Sequence, residues 1–236
     1  MTLIPVIDLL KGQVVRGVRG DRQAYRPIES ALCASSDPVT VAAILVDHCA
    51  AAQLYVADLD ALMGGAPQVT VLRALLEALD GVELWIDAGF ANADAALALR
   101  AQLAPHAARI VPVIASESLG TRAALEDCHR RFGPVGAVLS LDRRDGRRLD
   151  PAGCWDTPAL WPQRVIVMTL ERVGSGAGPD LDTMASLHDL APATTLVGAG
   201  GVRSRDDLAR AAAAGAGAWL VASALHDLQL PRQARP

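Results

Sequence analysis

Two aspartates pose the first chemical question. Asp8 closes the apolar run Leu3-Ile4-Pro5-Val6-Ile7, and Asp142 closes the run Val138-Leu139-Ser140-Leu141. Each run reads as a buried β-strand, so each carboxylate stands at a strand's C-terminal end. If both ends face one pocket, one carboxyl can donate a proton while the other abstracts one, provided their surroundings separate their pKa values. Aspartate in such a place also commonly caps the next loop or helix, and that use is open for each of them. A second group of residues suits an anion. Gly198-Ala199-Gly200-Gly201 ends one apolar run and Ala222-Ser223 ends the next. Glycine lets backbone N–H groups approach phosphate oxygens closely, a helix starting after the turn favours negative charge, and Ser223 adds a hydroxyl. Gly200, Gly201, Ala222 and Ser223 are therefore the candidates for a phosphate site.

The elements that must position these residues alternate along the chain. Near-continuous apolar runs predict strands over Leu3–Asp8, Gln53–Ala57, Val82–Asp87, Arg109–Ile114, Gly136–Asp142, Arg164–Met168, Thr194–Gly198 and Ala218–Ala222. Helical patterns fall between them at Pro38–Ala52, Pro67–Leu79, Ala91–Leu103, Ser118–Arg131, Leu181–Leu190 and Arg203–Ala214. Caps or first-turn prolines mark several helix starts: Asp37-Pro38, Asn92, Ser118, Asp180 and Ser204. Thr157–Pro162 is too short and too proline-bounded for a helix. Eight strands alternating with helices in 236 residues predict one α/β domain over residues 1–236, a (β/α)8 TIM barrel. An open doubly wound sheet would carry a G-x-G-x-x-G turn after its first strand, where Asp8-Leu9-Leu10-Lys11-Gly12 stands instead.

The chain also resembles itself. Val6-Ile7-Asp8-Leu9 lies on Ser140-Leu141-Asp142-Arg143. Asp58-Leu59-Asp60 lies on Thr169-Leu170-Glu171, and Ile86-Asp87-Ala88-Gly89 lies on Val197-Gly198-Ala199-Gly200 in the same register. Val113-Ile114-Ala115-Ser116 lies on Leu220-Val221-Ala222-Ser223. This predicts a half-barrel repeat with the first four strands on the last four. The spacing between first and second matches is longer in the first half, which therefore holds an extra segment within Leu9–Asp37, expected to be a lid over the site. Gly89 and Ser116 become candidates for a second phosphate, against the charge of Asp87. Asp58, Asp87 and Ser175 (in the polar loop Glu171–Gly178) are expected to line the pocket.

Composition narrows the chemistry. The only lysine is Lys11, in a loop, which disfavours a Schiff-base barrel. A net charge of −4, with no basic cluster interleaved with aromatics, excludes non-specific nucleic-acid binding. No run of 18 apolar residues exists, and the first residues lack the pattern of a secretory signal, so a cytoplasmic protein without a membrane partner is expected. Cys33, Cys49, Cys128 and Cys154 read as reduced thiols, and the five histidines lack ligand spacing, so neither a metal nor a cofactor is expected. With 51% hydrophobic but 3% aromatic residues, small aliphatic side chains should fill the core.

The motif Ile4-Pro5-Val6-Ile7-Asp8-Leu9, followed by Gly12-Gln13-Val14-Val15-Arg16-Gly17 and Gly20-Asp21, resembles the HisA/HisF family of histidine biosynthesis. Its members are a phosphoribosylformimino-aminoimidazole carboxamide ribotide isomerase and the cyclase of imidazole glycerol phosphate synthase. The resemblance runs from Ile4 to about His226, through Ser140-Leu141-Asp142, Gly198–Ser204 and Val221-Ala222-Ser223. It implies a half-repeat barrel with two phosphate sites, Asp8 and Asp142 as catalytic aspartates, and Gly200, Gly201, Ala222 and Ser223 as the second phosphate site. Asp180 fits the end of the loop after the sixth strand. The chain departs from the family in two places. The glycine triplet after the third strand is Asp87-Ala88-Gly89 here, and Met168 stands where the isomerase has an active-site threonine, with Thr169 beside it. The resemblance implies an aldose–ketose (Amadori-type) isomerase acting on a phosphorylated sugar or aminosugar, with Asp8 as base, Asp142 as acid and Thr169 assisting. The departures leave two alternatives. One is a paralogue with a different reaction on a singly phosphorylated small molecule, in one-carbon cofactor (tetrahydromethanopterin or methanofuran) biosynthesis. The other is a non-catalytic barrel that binds a phosphate ligand. Neither oligomeric state nor a glutaminase partner is fixed by the sequence.

Overall fold

A computed structural model describes residues 1–16 and 25–234. In chain order the strands are β1 (Thr2–Leu10), β2 (Gln13–Arg16), β3 (Arg26–Pro27), β4 (Gln53–Asp58), β5 (Glu83–Asp87), β6 (Ile110–Ala115), β7 (Val138–Arg144), β8 (Arg147–Arg148), β9 (Arg164–Thr169), β10 (Thr195–Ala199) and β11 (Ala216–Val221). The α-helices are α1 (Pro38–Cys49), α2 (Leu59–Leu62), α3 (Val69–Ala78), α4 (Ala93–Gln102), α5 (Arg122–Phe132), α6 (Leu181–Leu190), α7 (Arg205–Ala213) and α8 (Ser223–His226). Parallel pairing runs β1-β4-β5-β6-β7-β9-β10-β11, and β11 pairs back onto β1 from Thr2↔Ala218 to Pro5↔Val221. The sheet is therefore a closed eight-stranded parallel barrel with helices outside it, which is the (β/α)8 fold.

Side chains alternate across each strand. Ile4, Tyr55, Trp85, Val113, Val138, Ile166, Val197, Ala199 and Leu220 form one buried cluster inside the barrel. The intervening residues Leu54, Val56, Leu84, Ile86, Leu139, Val165 and Leu196 belong to the second cluster, between the strands and the helices. Both strand faces are buried, which is why each strand reads as an unbroken apolar run. Small aliphatics dominate, but two of the few aromatics, Tyr55 and Trp85, lie in the barrel interior, contrary to the expectation that small side chains alone fill it. At the start of β5 and β9 a polar plug closes the lower end. Arg164 donates to Glu83 Oε1 at 2.6 Å and lies 5.0 Å from the centroid of the Trp85 ring, and Trp85 Nε1 donates to the same oxygen at 2.6 Å.

Helix starts follow local chemistry. Asp37, Asn92, Asp180 and Ser204 each accept a backbone N–H of the first turn of α1, α4, α6 and α7. Thr121, not Ser118, caps α5. Thr157–Pro162 holds only a 3-10 turn at Pro158–Leu160. The half-repeat is visible in detail. β1 turns into antiparallel β2 through Lys11 (φ 50°) and Gly12 (φ 78°). At the equivalent place in the second half, β7 turns into β8 through Asp145 (φ 50°) and Gly146 (φ 75°). Positive φ at both central residues is the two-residue hairpin turn that matches strand twist. One expected register needs correction. Trp85 and Val197 both face inward, and the caps Asn92 and Ser204 correspond, so β5 lies on β10 with Ile86 over Gly198 rather than over Val197. A one-residue slip would turn every side chain to the other face. Asp87 therefore corresponds to Ala199, and Gly89 to Gly201.

The extra segment of the first half begins as the β2–β3 hairpin on β1, and Arg16 and Tyr25 from it reach the mouth. Residues 17–24 of the expected lid segment lie outside the described residues. Cys33, Cys49, Cys128 and Cys154 are buried free thiols. No helix among the described residues is long and apolar enough to cross a membrane.

Candidate active site

A cavity of about 340 Å³ opens at the C-terminal ends of the strands. Alternation along the strands decides which side chains reach it. Val6 and Asp8 on β1, Tyr55 and Ala57 on β4, Asp87 on β5, Asp142 on β7, Met168 on β9 and Ala199 on β10 all line it. Asp8 and Asp142, from strands that are neither sequential nor paired, thus share one cavity.

Asp142 is 4% exposed. Its Oδ1 accepts Ser140 Oγ at 2.7 Å, and its Oδ2 accepts the Glu117 N–H at 3.2 Å. Burial pushes its pKa up to about 7, against the opposing hydrogen bond from Ser140 and with help from the charges of Glu117 and Asp87. It therefore keeps its proton to a much higher pH than an ordinary aspartate. Asp8 is half-buried, at the β1 end that pairs with Val15 and Ala57. Tyr55 is buried, and its hydroxyl donates to Asp87 Oδ2 at 2.9 Å. Burial, then Asp87, Asp142 and Asp8, raise the phenol's pKa well above its ordinary value, so Tyr55 stays neutral as it donates to Asp87.

Gly200, Gly201, Ala222 and Ser223 all line the cavity on the opposite side, together with Arg203. Gly200 and Gly201 have φ of 83° and 81°, and a Cβ on Gly201 would lie 2.0 Å from the Gly178 carbonyl oxygen. Only glycine fits this close approach of the β10 loop to the loop after β9. That second loop brings Ser175 to the cavity, where its hydroxyl donates to the Arg172 carbonyl at 2.9 Å. Arg16 also lines the cavity and pairs with Asp227 at 2.6 Å, while Arg144 and Glu117 complete the rim.

Four sequence-predicted residues stand elsewhere. Thr169 is outward on β9 and 1% exposed, and its hydroxyl donates to Asp180 Oδ2 at 2.8 Å, which fixes the end of the β9 loop. Met168, its inward neighbour, takes the place in the cavity. Asp58 is likewise outward and fully buried. It accepts the Ala61 and Gln68 N–H groups at 3.2 and 2.7 Å, a capping role. Gly89 donates its N–H to Asp87 Oδ1 at 3.2 Å. Ser116 is buried and lies 3.2 Å from Asp142 Oδ2 and 2.9 Å from the Leu149 carbonyl, accepting the Asp142 N–H at 2.8 Å. The donors expected to hold a second phosphate are thus committed to Asp87 and Asp142. Tyr55, Arg144 and Glu117 are cavity residues that no motif in the sequence marks, and Arg16 and Arg203 lie within motifs that single out other residues. Counting by two back from Ala57 finds Tyr55, because period-two alternation fixes the inner face.

The sequence matches the model of a family described as histidine biosynthesis protein over residues 2–231. The chain belongs to that family. It is 31% identical to an isomerase of Thermomicrobium roseum, named for a phosphoribosyl imidazole-4-carboxamide bearing a phosphoribosylaminomethylideneamino group, over 96% of this chain and 93% of that relative. It is 29% identical to phosphoribosyl isomerase A of Mycobacterium avium, over 88% and 85% of the two chains. It is also 28% identical, over 96% of this chain and 93% of the other, to an uncharacterized protein of Methanocaldococcus jannaschii. In this member of the histidine biosynthesis family, the aspartate at position 87 and the engaged Gly89 and Ser116 set the first half of the cavity apart from the second.

Proposed function

We propose that the chain is an aldose–ketose isomerase of the HisA type, acting on a phosphorylated sugar or aminosugar. The observation that carries this reading is Asp142, buried so that its pKa is pushed up to about 7, in one cavity with Asp8 and with the Gly200–Gly201 and Ala222–Ser223 backbone. The phosphate rests against these residues and positions the sugar between the carboxylates. Asp142 gives its proton to the ring oxygen as the C1–O bond breaks, leaving a C1=N iminium. Asp8 then removes the C2 hydrogen as a proton, and the electron pair neutralises the nitrogen to give an enaminol. Asp8 returns its proton to C1 while Asp142 takes the C2 hydroxyl proton, so the ketose forms and both carboxyls regain their starting states.

A second reading is favoured by a specific feature. With the Gly89 N–H and the Ser116 hydroxyl engaged, two of the donors expected to hold a second phosphate are already used, which supports a paralogue acting on a singly phosphorylated small molecule, such as one in one-carbon cofactor synthesis. Restoring growth of a histidine auxotroph that lacks the isomerase separates the two. Growth supports the histidine enzyme, and its absence with soluble, folded protein supports the paralogue. The location proposed is the cytoplasm.

A further inference from the structure

The cavity wall that carries Gly200 and Gly201 ends on a guanidinium. Arg203 lines the cavity, two residues after Gly201 and just before Ser204, the cap of α7. Its backbone N–H and its Nε both donate to Asp207 Oδ2, at 3.0 and 3.1 Å, and its Nη2 reaches Oδ1 at 3.4 Å. Asp207 is buried, and the Arg203 hydrogen bonds, chief among its contacts, hold its pKa down to about 2. Arg210, on α7, donates to Asp207 Oδ1 and does not border the cavity. One carboxylate thus serves two guanidiniums, and one positive charge is left over among the three.

The hydrogen bonds also fix which edge of Arg203 is engaged. Asp207 takes the side edge, Nε with one N–H of Nη2. Nη1 makes no hydrogen bond to any of the described residues, so the end edge of the fork, Nη1 with the second N–H of Nη2, is the one left for a ligand. That edge offers two parallel donors, the geometry that takes a phosphate. The side chain lies against the loop after β9, which also lines the cavity. A Cβ on Gly176 would lie 3.8 Å from Arg203 Cδ, and one on Gly178 3.4 Å from its Nη2. Arg16, by contrast, spends its guanidinium on both oxygens of Asp227 and on the Glu29 carbonyl.

We infer that Arg203, held by Asp207 at the Gly200–Gly201 wall, is a phosphate-binding residue that fits the cavity to a dianionic phosphate monoester. This rests on the phosphate site proposed above and adds a charged donor to it.

Calorimetric titration with ribose 5-phosphate at about pH 7.5, where the phosphate is mostly dianionic, tests it. Arg203→Gln, at a half-exposed position, is expected to bind the probe at least about tenfold more weakly than wild type. Arg210→Gln removes the other partner of Asp207 away from the cavity, and is expected to stay within about twofold of wild type. Unchanged affinity in Arg203→Gln overturns the inference. An equal loss in Arg210→Gln overturns it too, because the effect would then come from disturbing Asp207 and not from a lost contact. Ser223→Asp separates the underlying reading. If it weakens binding while Arg203→Gln does not, the phosphate site stands and only the inference falls. If neither variant weakens binding, or wild type does not bind the probe, the phosphate site is misplaced and the inference falls with it.

Discussion

The Ser116 hydroxyl lies 3.2 Å from Asp142 Oδ2 while accepting the backbone N–H of Asp142 at 2.8 Å. One side chain just after β6 thus grips both the carboxyl and the backbone of Asp142 on β7. In the proposed chemistry this fixes the direction of Asp142 as proton donor before any substrate arrives, and makes Ser116 a positioning residue rather than a phosphate ligand. Ser116→Ala is expected to lower kcat by about tenfold while leaving KM for a phosphorylated substrate within about twofold, because the phosphate contacts are elsewhere. A rise in KM with unchanged kcat would return Ser116 to the phosphate site.

Asp142 ionises late, and that has a signature in catalysis. As general acid it must be protonated, so kcat falls as pH rises through about 7. The Ser140 hydrogen bond favours the charged carboxylate and opposes the shift. Ser140→Ala should therefore move the falling limb of the pH–rate profile to higher pH. Movement to lower pH would contradict the assignment.

The same group leaves a mark on stability. Its folded pKa lies above its unfolded value of about 3.8, so the native state binds more protons between the two values. The stability it contributes is fully present below pH 4 and is lost as pH rises through about 7. Asp142→Asn cannot ionise, so its melting temperature relative to wild type should rise between pH 4 and pH 8. Thermal melts of the two proteins across that range check this.

Thr169 gives a prediction of the opposite kind. Its hydroxyl is bonded to Asp180, which also accepts from the Thr183 side chain and N–H. Thr169→Val should cost about 1–3 kcal/mol in denaturant unfolding and leave the chemistry in place, with kcat lowered less than about fivefold at saturating substrate. Stability unchanged with kcat lowered a hundredfold would show that the hydroxyl acts on substrate.

Gly201 tests the phosphate side. Its φ of 81° and the 2.0 Å approach of a Cβ to the Gly178 carbonyl mean that alanine must displace one loop from the other. Gly201→Ala is expected to raise KM at least about tenfold for a phosphorylated substrate, with a smaller effect on kcat. A variant with unchanged KM would move the phosphate elsewhere.

The barrel is legible in the sequence because strands buried on both faces read as unbroken apolar runs, and because Asp37, Asn92, Asp180 and Ser204 mark helix starts chemically. Asp8, Asp142 and the glycines at 200 and 201 are legible as strand-end residues on repeated positions. Thr169 and Asp58 are misplaced by sequence for a physical reason: an unbroken apolar run hides which face is inner, and a shift of one residue exchanges Met168 for Thr169 and Ala57 for Asp58. The same ambiguity lies behind the slipped register of β5 on β10. Gly89 and Ser116 mislead because residue type shows that a donor exists but not which acceptor takes it. Their partners, Asp87 and Asp142, are fixed only by the closing of the barrel. The β2 and β8 hairpins escape notice because their strands are short, although Lys11-Gly12 and Asp145-Gly146 are turn signals.

Everything in the proposed chemistry depends on Asp8 and Asp142 moving protons on one bound sugar phosphate. Proton NMR of a phosphorylated aminoaldose in deuterated buffer follows this, through loss of the C2 hydrogen signal and appearance of the ketose. Wild type should exchange that hydrogen and form product. Asp8→Asn should do neither, and Asp142→Asn should lose product formation, both with an unchanged circular dichroism spectrum. Exchange and product formation undiminished in both variants would contradict the assignment of either aspartate.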